Sequence, residues 1–170
     1  MTPAADASAA ALAAQVAREF RRRLQGEYVP RIGRCLELLP PDALWSRPSP
    51  NCNSIGNLML HLRGNTTQWI LAEFGAVTDA RDRPAEFGAQ GGPGAAELVA
   101  GLRDVTDRAC AIVDSLPVAE LLRERIVQGR FRETGLSAVL HVIEHFSGHA
   151  GQIYDRTKQL TGADLAFYDL

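Results

Sequence analysis

Between Leu140 and Ile153 the chain places His141, His145 and His149 at intervals of four residues. Four residues is one turn of α-helix and a little over, so the three imidazoles stack on one face. Val139, Val142, Ile143, Phe146, Ala150, Ile153 and Tyr154 fill the complementary face at helical period. The pattern predicts a helix whose histidine side and opposite side are both largely out of water. Such a helix belongs in the interior of a fold.

One metal ion cannot use all three histidines of the stripe. At a rise of about 1.5 Å per residue, His141 and His149 are roughly 12 Å apart along the axis, whereas metal-bound imidazoles converge with bonds of about 2.0 to 2.1 Å. One adjacent pair can chelate, either His141/His145 or His145/His149. The neighbours favour the second pair. Gly148 and Gly151 flank His149, a costly use of glycine inside a helix unless something approaches the backbone closely there. Gln152, three residues on, points back to the same face. A third protein ligand is needed, and the only other histidine is His61. It lies two turns inside a helix that Asn53 or Ser54 caps, in line with Leu58, Asn65 and Trp69.

The rest of the chain supplies partner helices. Leu12, Val16, Phe20 and Leu24 recur every fourth position from about Ala7, and the stripe resumes through Ile32, Cys35, Leu36 and Leu39, which predicts one helix kinked near Gly26 and Pro30. Residues 41–53 carry three prolines and read as an ordered loop anchored by Trp45. A second helix is expected from Ser54 to Phe74, stopped by Gly75. Residues 77–94 mix charge, proline and glycine with too few apolar residues to pack as a helix, so a long crossing loop is expected, serving as a connection or as a lid near the site. A third helix is expected from Ala95 to Leu116, then a short helical turn after Pro117. A small β-hairpin is expected around Gly129 and a Thr134 cap on the histidine helix, which ends near Gly162. The expected fold is all-α, a four-helix bundle with one long crossover loop, in a single domain over residues 1–170.

Composition excludes several classes of function. A net charge of −2, with acidic and basic residues mixed along 170 residues, leaves no electrostatic footprint for nucleic acid or an anionic membrane. No stretch reaches the ~20 apolar residues of a membrane span. The alanine-rich start has its arginines after the apolar run and not before it, against a secretory signal. Cys35, Cys52 and Cys110 are odd in number and lack Cys-x-x-Cys spacing, which argues against a disulfide framework and fits a reducing cytoplasm.

An Asn-Ser-Ile segment leading to His-Leu-x-Gly-Asn at 61–65, followed by His-x-x-x-His-x-Gly-Gln at 145–152, resembles the DinB-like superfamily of bacterial metal-binding four-helix bundles. Within it, the nearest likeness is to a branch of undefined function. The resemblance spans nearly the whole chain, including Arg81 to Phe87 and the Phe167-Tyr168-Asp169-Leu170 end. It implies a divalent metal held by His61, His145 and His149, the set the spacing argument also reaches, with His141 outside the motif. Three neutral imidazoles leave an ion its full charge and an open position, as in catalytic zinc sites. Zinc is the first expectation, with nickel and iron also suited to imidazole. Asn65 and Gln152 are candidates to orient a histidine or touch a ligand, and Glu144 to pair with His141 or an arginine. The resemblance further implies transfer of a small bacterial thiol to a small electrophile. A metal-dependent hydrolase and a non-catalytic metal- or ligand-binding dimer are the competing readings. Apolar residues on both sides of the last helix also predict a homodimer.

Overall fold

In the computed structural model, which describes residues 3–167, the first amphipathic stripe forms α1 (Pro3–Arg23) and runs unbroken into α2 (Val29–Leu38). Between them Leu24–Tyr28 is wound as one wider π-turn, in which Val29 N–H bonds to Leu24 O. Pro30 gives the reason. It has no N–H to donate and its ring crowds the carbonyl four residues back, and the wider turn absorbs that mismatch. The stripe therefore stays in phase, with Phe20, Leu24, Ile32, Cys35 and Leu36 all buried.

Helix α3 (Ile55–Thr66) begins at a capping box. Ser54 Oγ accepts from Asn57 N–H at 3.1 Å, while Asn57 Oδ1 accepts from Ser54 N–H at 3.0 Å. A second π-turn, Thr67–Ala72, extends the helix to Gly75, which ends the segment at φ +81°. Trp45 anchors the preceding loop as expected. Its ring lies so close to Gly56 and Gly92 that a Cβ there would sit 2.6 Å and 3.2 Å from it.

The crossover departs from expectation. It contains a short helix, α4 (Arg83–Gly88), started by Asp82, whose Oδ1 accepts from Ala85 N–H at 3.0 Å, with Pro84 in its first turn. Few apolar residues are needed because polar groups hold it. Asn57 Nδ2 donates to the carbonyls of Glu86 and Ala89 at 2.9 and 2.8 Å, and Arg47 donates to those of Phe87 and Ala89. Asn57 is fully buried, so these bonds fix α4 against the start of α3.

Beyond α4 come α5 (Ala95–Ser115), the short α6 (Val118–Leu122) and the expected hairpin, β1 (Glu124–Val127) with β2 (Phe131–Thr134). The strands are antiparallel, in the register Glu124↔Thr134 to Val127↔Phe131, and Gln128 and Gly129 turn the chain at positive φ. Helix α7 (Gly135–Thr161) starts at a Thr134/Ser137 capping box and stops at Gly162, φ +68°. The long helices α1–α2, α3, α5 and α7 enclose the core of a four-helix bundle. Phe20, Leu24, Met59, Leu62, Leu102, Phe146 and Ile153 are almost fully out of water, each contributing about 1.5–3 kcal/mol of apolar burial. Among the described residues no helix is long and apolar enough to cross a membrane. Tyr168, Asp169 and Leu170, part of the resemblance quoted above, lie outside the described residues.

Helix α7 is not buried on both sides. Val142, Phe146, Ala150 and Ile153 face the core, but Glu144, Gly148, Gly151 and Gln152 are exposed and the three histidines sit half-buried at the boundary. Nor does the chain approach Gly148 or Gly151. A Cβ on either would meet nothing within 4 Å, so the two glycines leave open space beside His149.

Candidate metal centre

Helix α3 presents His61 from its second turn, facing α7 across the bundle. Its side chain is buried, and its Nε2 lies 2.8 Å from His145 Nε2. The His149 ring stands edge-on to both, with centroids 5.0 Å from His61 and 4.5 Å from His145. One ligating nitrogen from each of the three falls within 4.8 Å of the others. Imidazole nitrogens around a tetrahedral ion with bonds of about 2.0–2.1 Å are roughly 3.4 Å apart, inside the spread found here. Two ring nitrogens 2.8 Å apart must share either a proton or a cation, since two lone pairs would repel. The donor set therefore fits a divalent metal, and the three histidines could hold one.

The outer nitrogens are held as well. Glu86 Oε2 and Arg81 Nη2 both lie 2.9 Å from His61 Nδ1. Arg81 Nη2 is a donor already directed at Glu86 Oε2 and the carboxylate only accepts, so the arrangement that satisfies all three groups puts the proton on Nδ1 and turns the Nε2 lone pair inward. Arg81 fixes that carboxylate from two sides, Nε to Oε1 at 2.7 Å and Nη2 to Oε2 at 2.9 Å. Burial acts to raise the Glu86 pKa, but hydrogen bonds from Arg81 and His61 outweigh it and hold the group below the ordinary carboxylate range. Gln152 Oε1 sits 2.8 Å from His149 Nδ1 and, as the acceptor, leaves Nε2 of that ring free.

The histidines of α7 are neutral bases. Burial, then the adjacent His149, His61 and His141, lowers the His145 pKa to about 3. Burial also lowers His149, against the opposing hydrogen bond with Gln152. Neutral imidazole is the form that donates a lone pair.

His141 is placed apart. It stacks on Trp69 at a centroid distance of 3.7 Å with planes 19° apart, and its Nε2 lies 3.1 Å from Asn65 Nδ2. Burial lowers its pKa too. Of the two expected orienting residues, Gln152 serves His149, whereas Asn65 serves His141 and not His61. The groups that hold His61, Glu86 and Arg81, come from the crossover. Sequence reasoning missed them because their segment carries no periodic signal. The available clue was Asp82-Arg83-Pro84-Ala85-Glu86, an N-cap, a first-turn proline and a carboxylate.

His141, Glu144, His145, Gly148 and His149 line an open pocket of about 260 Å³, so the histidine cluster can be reached from solvent beside the bare backbone of Gly148. The DinB superfamily model matches residues 30–153, a span that takes in all four histidines, α4 and the hairpin. The chain belongs to the DinB superfamily. Within the superfamily match lie the whole of α3, carrying His61, and α7 as far as Ile153, carrying His145 and His149. No curated protein matches the chain.

Proposed function

We propose that His61, His145 and His149 are the ligands of a divalent metal, zinc first with nickel or iron as alternatives, and that the protein transfers a low-molecular-weight thiol to small electrophiles. The observation that carries this reading is the convergence of three ring nitrogens, two of them on histidines that line a pocket open to solvent. An ion there would supply positive charge that lets a coordinated thiol or water lose its proton near neutral pH. Glu86 and Gln152 keep two rings in the donating tautomer, and His145 stays neutral across the physiological range. Glu144 is the carboxylate lining the same pocket, and in this reading it would accept the proton that a thiol gives up.

Open access favours this reading over a non-catalytic site, in which a side chain would close the fourth position. Thiol transfer is preferred to hydrolysis on the superfamily resemblance. Elemental analysis of protein purified without added metal, followed by a screen of small thiols against small electrophiles, tests it. We expect about one metal per chain and product only when thiol, electrophile and metal are all present. Turnover of an ester or amide without thiol would establish the hydrolase instead. We also propose that the protein is cytoplasmic and that it is a homodimer; the exposed Leu122, Ile126 and Phe131 in and just before the hairpin, with Leu140 on α7, support the dimer.

A further inference from the structure

Below the histidine cluster α7 continues to line a second cavity, of about 470 Å³, which no part of the proposed metal chemistry uses. Ile55 and Leu58 of α3 give it an apolar floor, and Cys52, Gln152, Arg156 and Gln159 give it polar walls. Arg156 is its distinctive group. Its Nε is out of water with no hydrogen-bond partner, and among the described residues no carboxylate pairs with its guanidinium. The neighbouring acid on the rim, Asp155, is taken up by Gln159, whose Nε2 donates to Oδ2 at 2.7 Å. A half-buried guanidinium without an anion is costly unless an acceptor arrives from outside, and the acceptors it binds best are carboxylates, held bidentately.

Gln152 belongs to both places. Its amide oxygen holds His149 Nδ1, and the same side chain walls the second cavity. From His149 through Gln152 to Arg156 the residues follow one side of the helix over two turns, about 10 Å at a rise of 1.5 Å per residue. We propose that this cavity binds a small linear carboxylate, its anionic end on Arg156, its chain over Ile55 and Leu58, and its far end directed past Gln152 to the histidine cluster. The direction of the far end rests on the metal reading above; the carboxylate site does not.

Octanoate, whose extended chain is of that length, is the probe, with neutral octanamide as its control. Calorimetry on metal-free protein is expected to show octanoate binding, octanamide binding weakened about tenfold, and a similar loss for octanoate in Arg156→Gln with partial recovery in Arg156→Lys. Octanoate should also slow alkylation of the Cys52 thiol by iodoacetamide, read by mass spectrometry. His145→Ala should bind octanoate as the wild type does, which separates this site from the metal. No octanoate binding, equal binding of octanamide, or unchanged binding in a folded Arg156→Gln protein would overturn the proposal. In zinc-loaded protein, ω-mercapto-octanoate should bind more tightly than octanoate. Absence of that gain would overturn the reach to the histidines and leave the carboxylate site standing.

Discussion

Gly64→Ala isolates the influence of the crossover on the metal centre. A Cβ on Gly64 would stand 1.9 Å from Glu86 Oε1 and 2.9 Å from its Cδ. Ordinary contact is about 3.5 Å, so the carboxylate must retreat by roughly 1.5 Å. Retreat is not cheap here, because the carboxylate is held at 2.7 and 2.9 Å by Arg81 and at 2.9 Å by His61 Nδ1. A shift of that size takes those bonds past the limit of a hydrogen bond. Disrupting a buried charged pair costs about 3–5 kcal/mol, and losing the partner of a metal-ligating imidazole weakens metal binding about 10- to 100-fold. The assays are zinc affinity by competition with a chromophoric chelator and urea denaturation of the metal-free protein. Gly148→Ala is the matched control. Its Cβ meets nothing within 4 Å, so it should gain about 0.5–1 kcal/mol of helix stability with zinc affinity unchanged. Wild-type zinc affinity in Gly64→Ala, or equal shifts in the two variants, would refute the role assigned to Glu86.

Metal-free protein should lose stability as pH falls from 6.5 toward 3. Unfolded His145 takes up a proton near 6.5 while the folded ring resists until about 3, so acid favours the unfolded chain; His145→Gln should flatten the slope of urea-derived stability against pH above 4.5. Glu86 acts lower. Its folded pKa lies below the ordinary 4.5, so its contribution is present above that pH and disappears as pH falls through the folded value, and Glu86→Gln should remove that part of the acid limb. Light scattering at micromolar concentration should give a dimer mass, reduced toward the monomer by Ile126→Asp, whose wild-type side chain is exposed on the hairpin; a monomeric wild type would contradict the dimer.

The bundle was readable from the sequence because its helices carry strong 3.6-residue periodicity and explicit stops. Ser54, Thr134, Gly75 and Gly162 all sit where the structure caps a helix. Even the disturbance near Gly26 and Pro30 was visible, though as a kink, since periodicity cannot tell a bend from a widened turn. The histidine convergence was readable for the same geometric reason. The crossover was not. Short helix α4 is held by Asn57, Arg47 and Arg81 through pairs of polar bonds, which leave no repeating trace, so Glu86 stayed hidden behind a loop-like composition. Gly64 shows the converse case. It stood in the sequence as an unexplained glycine in a helix, and only its closeness to the Glu86 carboxylate accounts for it. The glycines beside His149 suggested a close contact, yet what they provide is an opening.

The central claim is the choice of ligands, and metal content per chain across four single variants tests it most directly. His61→Ala, His145→Ala and His149→Ala each remove one of three converging nitrogens and should lower bound zinc sharply. His141→Ala should retain it, because that ring is stacked on Trp69 and bonded to Asn65, although its loss should cost about 1–3 kcal/mol of stability. Loss of zinc in His141→Ala with retention in His149→Ala, in folded proteins, would contradict the account.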